Sequence, residues 1–160
     1  MDVIHVDQEL NTPKRVGLNN STDSAVTVNK GEALAYDLSG DGLGWVNKLS
    51  VTDASNRLFA GIARKKTVIP ANSKGYFEVD EPGSITEALV LDAGVNGIAE
   101  YLTLQWKYNA TSGGVLIEAS ASGQGSAVLL EALVAVDPAV ATLKKVYLEI
   151  GSRLASAATS

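Results

Sequence analysis

Short apolar runs alternate with clusters of Gly, Asn, Asp and Ser along most of this chain, and this pattern is what most limits its fold. Runs such as SAVTV (24–28), EALAY (32–36) and GYFEV (75–79) have the length of strands, and NKG, PANSKG and NATSGG are turn signals between such runs. This punctuation is typical of all-β domains. The predicted fold class is therefore all-β, mainly β with one or two short helices, arranged as a small β-barrel or sandwich.

The predicted strands are Ser24–Val28, Glu32–Tyr36, Trp45–Val51, Leu58–Ala63, Gly75–Val79, Tyr101–Trp106, Gly114–Ser120, Ala127–Val134 and Lys145–Ile150. Between the second and third of them, YDLSGDGLGW (36–45) begins with the acidic spacing of a calcium loop. Position twelve of that loop is Lys48, where a calcium loop requires a bidentate glutamate. The stretch is instead predicted to be a hairpin turn, since Gly and Asp supply the backbone angles that such turns need.

Helix signals occur at two places. Ser84 and Glu87 have the spacing of a capping box, and Gly94 offers a stop, so a short helix is expected over Ser84–Gly94. Asp137 as N-cap and Pro138 at the first helical position favour one or two helical turns within Asp137–Lys145.

The two halves of the chain carry the same order of features at an offset of about seventy residues. GEALAYDLSGDGLGWVNKLSV, LFAGIA and GYFEV in the first half correspond to AEYLTLQWKYNATSGGVLIEAS, AVLLEAL and KVYLEI in the second. Two pseudo-repeats are thus one way of building the fold. Neither half is expected to bury its apolar face alone, so the two would close one barrel or sandwich.

The ends of the chain differ from its middle. Residues 1–22 have no clear hydrophobic period and are predicted to be an extended N-terminal arm. Residues 23–151 are predicted to be a single β domain, and the small polar residues 152–160 a flexible C-terminal tail.

Composition excludes several classes of function. The chain of 160 residues has no Cys and a net charge of −5, so thiol chemistry and cysteine metal sites are excluded and nucleic acid is not an expected partner. The N-terminus has no secretory signal pattern, and no apolar run reaches the roughly twenty residues of a membrane helix. A product that is soluble, made inside the cell and not membrane-bound is expected.

No catalytic or cofactor motif is found. The single histidine, His5, lies in the predicted arm, and Asp80 and Glu81 are adjacent carboxylates in a predicted turn. Trp45 and Trp106 occupy corresponding places in the two halves and suit core packing, with sugar stacking as the alternative. Neither an enzyme, a cofactor nor a metal is expected, although two carboxylates from distant strands leave a hydrolase open.

The segment LFAGIARKKTVIPANSKGYFEVDEPGS (58–84), preceded by VNKGEALAY, resembles the capsid decoration, or cement, proteins of tailed bacteriophages. The closing pattern NATSGGVLIEASASGQGSAVLLEAL and KVYLEI is also similar to that family. The resemblance spans about three quarters of the chain. The chain departs from the family pattern between Ser84 and Ala99 and in its long N-terminal segment.

The resemblance implies a non-enzymatic structural protein that binds the outer surface of a phage capsid as a homotrimer and clamps neighbouring subunits of the major capsid protein. It would be made in the host cytoplasm and reside on the virion. The predicted partner-binding residues are Pro13, Lys14, Arg15 and Val16 of the arm. The alternative is a β-sandwich binding module, for carbohydrate or a receptor, on a phage fibre or cell surface.

Overall fold

A computed structural model of the protein describes residues 14–19, 23–37, 45–48, 58–119 and 125–150. Their strands are β1 Lys14–Asn19, β2 Val26–Val28, β3 Ala33–Asp37, β4 Trp45–Lys48, β5 Phe59–Ala63, β6 Thr67–Ile69, β7 Ser73–Asp80, β8 Ile85–Val90, β9 Thr103–Asn109, β10 Gly113–Glu118, β11 Ala127–Leu129 and β12 Thr142–Leu148. No helix occurs within these residues, so the all-β fold class is confirmed and the two short helices are wrong.

The strands form two closed barrels of five strands each. The first barrel has the cyclic order β1-β4-β3-β5-β7, and the second has the order β8-β10-β9-β11-β12. In each barrel the first strand runs parallel to the third (β1 with β4, β8 with β10) and antiparallel to the last (β1 with β7, β8 with β12). The two barrels therefore have the same topology, and the predicted pseudo-repeats are present in the structure.

Each repeat closes its own barrel, which differs from the expectation that two halves share one. The strands that make this possible are β1, which lies within the predicted arm, and β8, which lies within the predicted helix 84–94. Residues 14–19 of the arm thus belong to the first barrel, while residues 1–13 and 20–22 lie outside the described part of the chain. The predicted tail, 152–160, also lies outside it.

The predicted hairpin after β3 agrees with the backbone pairing. Asp37 pairs with Trp45 and Tyr36 with Val46 in antiparallel register, which requires the chain to reverse between them. Residues 38–44 are not among the described ones. In the second repeat β9 and β10 form the equivalent hairpin, with Asn109 paired to Gly113.

One core fills the first barrel. Leu34, Val46 and Phe77 belong to this cluster, and Val28 and Ile69 from the two-stranded sheet of β2 and β6 join it. The β2–β6 sheet therefore packs against the interior of the first barrel, because its inward residues complete that barrel's apolar cluster.

The second core joins the two barrels. It contains the inward residues of the second barrel, among them Leu104, Leu116 and Val146, together with Ala33, Ala35, Phe59 and Ile62 from the first. All five residues of β5 are buried, so the strand shows no alternation of apolar and polar residues. A strand covered on both faces is expected to read in this way.

Candidate interaction surfaces

The acidic residues singled out in the sequence do not form a metal site in the described part of the structure. Within that part no group of three His, Cys, Asp or Glu side chains could hold a metal ion. Of the paired carboxylates, Asp80 accepts a hydrogen bond of 2.6 Å from the Thr86 hydroxyl, and Glu81 forms an ion pair with Arg15. Each of these two carboxylates therefore already has a partner within the chain. His5 lies outside the described residues.

Trp106 is a core residue. Its side chain is 2 % exposed, and its ring stacks on that of Phe59 with 6.4 Å between centroids and 25° between planes. A ring in this position cannot stack on a sugar in solution. The side chain of Trp45 is outside the described part of the structure.

A cleft of about 350 Å³ lies where the two barrels meet, next to an ion pair between a buried acid and a half-buried lysine. Glu32 is 1 % exposed; its Oε1 accepts a hydrogen bond of 2.9 Å from the Asn29 amide, and its Oε2 lies 3.4 Å from the Lys48 ammonium. A Cβ placed on Gly113 would lie 2.9 Å from this carboxyl group. The carboxylate is thus enclosed between the first barrel and β10 of the second, which indicates a contact between barrels rather than an open ligand site.

A second charged contact joins the barrels on the surface. The ammonium of Lys30, in the turn before β3, pairs with the carboxylate of Glu87 on β8. The hydrogen bond and the charge of Lys30, with a smaller effect of Lys145, hold the pKa of Glu87 below its ordinary value of 4.5. Because the folded pKa is depressed, the stabilisation by Glu87 is present above the unfolded pKa and lost as the pH falls through the folded one.

We expect the substitution Lys30→Met to return the pKa of Glu87 toward 4.5, since it removes the largest cause of the depression. The measurement is an NMR titration of the Glu87 side-chain carboxyl carbon in both proteins. Lys66→Met, at an exposed lysine in the β5–β6 turn, is the matched control and should leave this titration unchanged. An unaltered Glu87 titration in Lys30→Met would contradict the assignment.

The predicted partner-binding residues fall mostly on β1. Pro13 lies outside the described residues, and Lys14 begins the strand, in register with Glu78. Arg15 is held by its ion pair with Glu81 within the chain. Val16 pairs directly with Tyr76 of β7, so their side chains lie on the same side of the sheet.

The outer surface of β1 and β7 around Val16 and Tyr76, called here the β1–β7 face, carries an exposed aromatic ring beside the half-buried Val16. Tyr76 is 66 % exposed, although the residue after it, Phe77, is buried in the first barrel. An exposed tyrosine on a rigid strand is a typical anchor of protein interfaces. Sequence alone predicts the strand but does not tell which of the two aromatic residues faces the core.

A second exposed surface is the connection between β11 and β12, residues 130–141, called here the valine loop. Val134 is 75 % exposed, and Val136 and Val140 are also exposed. The loop is held at its base, since Ile98 and Leu133 exchange two backbone hydrogen bonds of 2.9 Å. Its charged residues include the exposed acids Glu131 and Asp137. Three exposed apolar side chains on one connection that is held at its base make this loop a candidate surface for protein association.

The sequence prediction missed the valine loop because it extended the strand from Ala127 to Val134 and then a helix to Lys145. The structure ends β11 at Leu129 and starts β12 at Thr142. The sequence feature that could have identified the loop is the apolar stretch LVAVDPAVA (133–141). Pro138 interrupts this stretch, so it does not read as one continuous strand.

No helix in the described part of the chain is both long enough and apolar enough to cross a membrane. Comparisons with protein-family models, curated proteins and solved structures found no match.

Proposed function

We propose that this protein is a non-enzymatic structural protein of a bacteriophage particle. It binds the outer surface of the capsid, associates as a homotrimer and stabilises the head by clamping neighbouring subunits of the major capsid protein. The basis is the resemblance of residues 58–84 and the later hairpin segments to capsid decoration proteins, together with the surfaces of the fold.

The observation that carries the proposal is the valine loop. A soluble protein gains nothing from holding Val134, Val136 and Val140 in water, because each exposed valine forgoes the stabilisation of burial, about 1.5–3 kcal/mol for a whole side chain. A partner surface that covers the loop recovers that free energy. On a capsid the same contact is repeated at many sites, and a trimer adds effective concentration to each modest contact.

The binding-module alternative is less well supported. In that alternative Trp45 or Trp106 would stack on a sugar. The Trp106 ring is instead buried against Phe59. The cleft between the barrels is bordered by the enclosed Glu32 carboxylate, which already pairs with Lys48. The proposed role therefore places function on exposed surfaces.

The direct test is to count copies of this chain per major capsid protein in purified particles by quantitative mass spectrometry. A ratio near one, or another simple fraction set by three-fold sites, supports decoration. A handful of copies per particle would favour a fibre or tail module, and absence from particles would refute the proposal.

We expect the double substitution Val134→Asp and Val136→Asp to weaken binding to particles that lack this protein by at least about tenfold, since it removes apolar contact and adds charge to a desolvated surface. Cosedimentation of purified protein with such particles gives the affinity. Val68→Asp is the matched control, at an exposed valine on β6 of the two-stranded β2–β6 sheet. Equal binding by both variants and the wild type would exclude the valine loop as the docking surface.

A further inference from the structure

The two barrels can be aligned residue by residue through their backbone pairing. In the first barrel Leu34 of β3 pairs with Lys48 of β4 and with Gly61 of β5. In the second barrel Leu104 of β9 pairs with Glu118 of β10 and with Ala127 of β11. Because these strands hold the same places in the two barrels, Leu34 and Leu104 are equivalent. The offset between β3 and β9 is thus seventy residues, derived as 104 minus 34. The same offset relates Gly31 to Tyr101.

Gly31 and Tyr101 occupy the same turn in their barrels. Both have positive φ angles, 87° and 66°. Gly31 N donates to Ala63 O at 2.8 Å, and Tyr101 N donates to Leu129 O at 2.7 Å. The next bonds also correspond, since Ala63 N donates to Glu32 O and Leu129 N to Leu102 O.

The outer faces beside these turns correspond as well. Gly17 of β1 lies beside Val46, and Val90 of β8 lies beside Leu116, in the parallel pairs that close the two barrels. The preceding residues are Val16, which pairs with Tyr76, and Leu89, which pairs with Leu143. The β1–β7 face of the first barrel is therefore equivalent to the Leu89–Leu143 face of the second.

Within one chain, the Gly31 turn of the first barrel docks on the Leu89–Leu143 face of the second. Leu89 N donates to Gly31 O at 2.9 Å, and a Cβ on Gly31 would lie 2.4 Å from Leu143 Cδ2. Lys30, just before Gly31, pairs with Glu87 on the same face. The contact thus combines a backbone bond, an apolar contact and an ion pair.

The equivalent turn is exposed, and the equivalent face carries one exposed ring beside the half-buried Val16. Tyr101 is 73 % exposed on the second barrel, and Tyr76 lies exposed on the first. The ion pair has a counterpart with its signs reversed: the residue equivalent to Lys30 is Glu100, and the register position equivalent to Glu87 is Lys14. Both partners of a second contact of the same kind are therefore present on every chain.

We propose that the Tyr101 turn of one copy docks on the β1–β7 face of the next copy. Val16 N would donate to the neighbour's Tyr101 O, Glu100 would pair with Lys14, and the two exposed tyrosines would pack together. The contact between copies is not identical to the one within the chain, because Tyr101 has a side chain and Gly31 has none. The turn and the face must therefore lie farther apart between copies than they do within the chain. The assignment rests on the proposed function, since it names the contact that holds its homotrimer together.

A contact between two different faces of the same chain is heterologous, and repeated contacts of this type close into a ring when the rotation permits. Three copies with two barrels each would give a ring of six barrels, in which contacts within chains alternate with contacts between chains. A second copy is favoured as the occupant of the β1–β7 face because the chain itself supplies the complementary charge and turn.

The test is the mass of the purified protein in solution, measured by light scattering across a range of concentrations and salt. We expect the wild type to form a closed assembly, which Glu100→Lys weakens by at least about tenfold in dissociation constant, because like charges then meet at the contact. Lys14→Glu should act in the same way, and the two substitutions combined in one chain should restore the assembly. Tyr101→Ala should also weaken it at least about tenfold.

Lys66→Glu is the matched control, since it reverses an exposed charge in the β5–β6 turn, outside the Tyr101 turn and the β1–β7 face, and should leave the mass unchanged. A wild type that keeps the mass of one chain at every concentration overturns the inference, and so does a combined variant that fails to reassemble while it is folded by circular dichroism. These measurements need no particle. An assembly that forms as described but is absent from particles would refute the proposed function and leave this contact standing.

Discussion

Replacing Gly61 by alanine should destabilise the protein by about 3 kcal/mol or more, because the added methyl group meets main-chain atoms at an unfavourable φ. Gly61 is in the middle of β5, beside the irregularity in register between Leu34 and Ala35 of β3. Its φ of 140° lies in the region that L side chains rarely adopt. The glycine is therefore required by the backbone as well as by the space around it.

The space at Gly61 is closed by main-chain atoms. A Cβ there would lie 2.3 Å from the carbonyl oxygen of Asp80 and 2.6 Å from Val79 Cγ1. A flexible side chain can move aside from such a contact, but the Asp80 carbonyl belongs to β7, whose pairing with β5 is one of the contacts that close the first barrel. Relief of the clash has to separate these two strands, so the cost of overpacking adds to the cost of backbone strain.

Urea denaturation followed by circular dichroism gives the change in the free energy of unfolding. Gly94→Ala is the matched control, because Gly94 is exposed, its φ is not in the positive range, and the nearest atom to an added Cβ is the end of the Asn96 side chain at 3.1 Å. It should change stability by about 0.5 kcal/mol or less. Equal stability of Gly61→Ala and the wild type would show that β5 and β7 can separate without cost.

The sequence predicts the later strands of each repeat better than the first strand, which closes each barrel. β3, β5, β9 and β10 were recognised in place, because their apolar runs end at clear Gly and Asn turns. The first strand of each repeat was missed. The sequence predicts an extended arm where β1 lies and a helix where β8 lies. Strands overlapping β4, β7, β11 and β12 are also predicted, so the prediction contains four of the five strands of each barrel. One shared barrel or sandwich is expected from the sequence because neither half is expected to bury its apolar face alone.

The helix prediction at Ser84 failed for a local reason. Ser84 and Glu87 have the spacing of a capping box, but the Ser84 hydroxyl donates to the Glu81 carbonyl at 2.6 Å, closing the turn that follows β7. From Ile85 onward the chain pairs with β12 over six residues. Pairing with a strand nearly sixty residues away is decided by tertiary contacts, and a local cap signal cannot report it.

The candidate surfaces are harder to predict from the sequence than the strands are. The pattern in GYFEV predicts a strand but leaves open whether Tyr76 or Phe77 faces the core. The sequence predicts a strand that begins at Tyr101, whereas Tyr101 lies in the turn before β9 and has a positive φ. Its significance depends on its equivalence to Gly31, which only the register of the two barrels establishes.

The substitution Trp106→Ala should destabilise the whole molecule by about 3–5 kcal/mol, the usual range for removing a buried tryptophan. Trp106 belongs to the cluster that contains Phe59 and Ile62 of the first barrel as well as Leu104 and Leu116 of the second. Because this cluster crosses the junction, the loss should weaken the attachment of the barrels to each other in addition to the packing of the second.

Two outcomes of urea denaturation distinguish a shared core from two independent ones. If the cluster couples the barrels, the wild type and Trp106→Ala both unfold in one transition, and only its midpoint falls. Val68→Ala, which shortens an exposed side chain on β6, should leave the midpoint nearly unchanged. A double-mutant cycle of Trp106→Ala with Phe59→Ala should give a coupling of about 0.5–1.5 kcal/mol for the stacked pair. Two separate transitions in the wild type would mean that each repeat is stable by itself. The junction would then be a contact between two barrels that fold independently, like the contact proposed between copies of the chain.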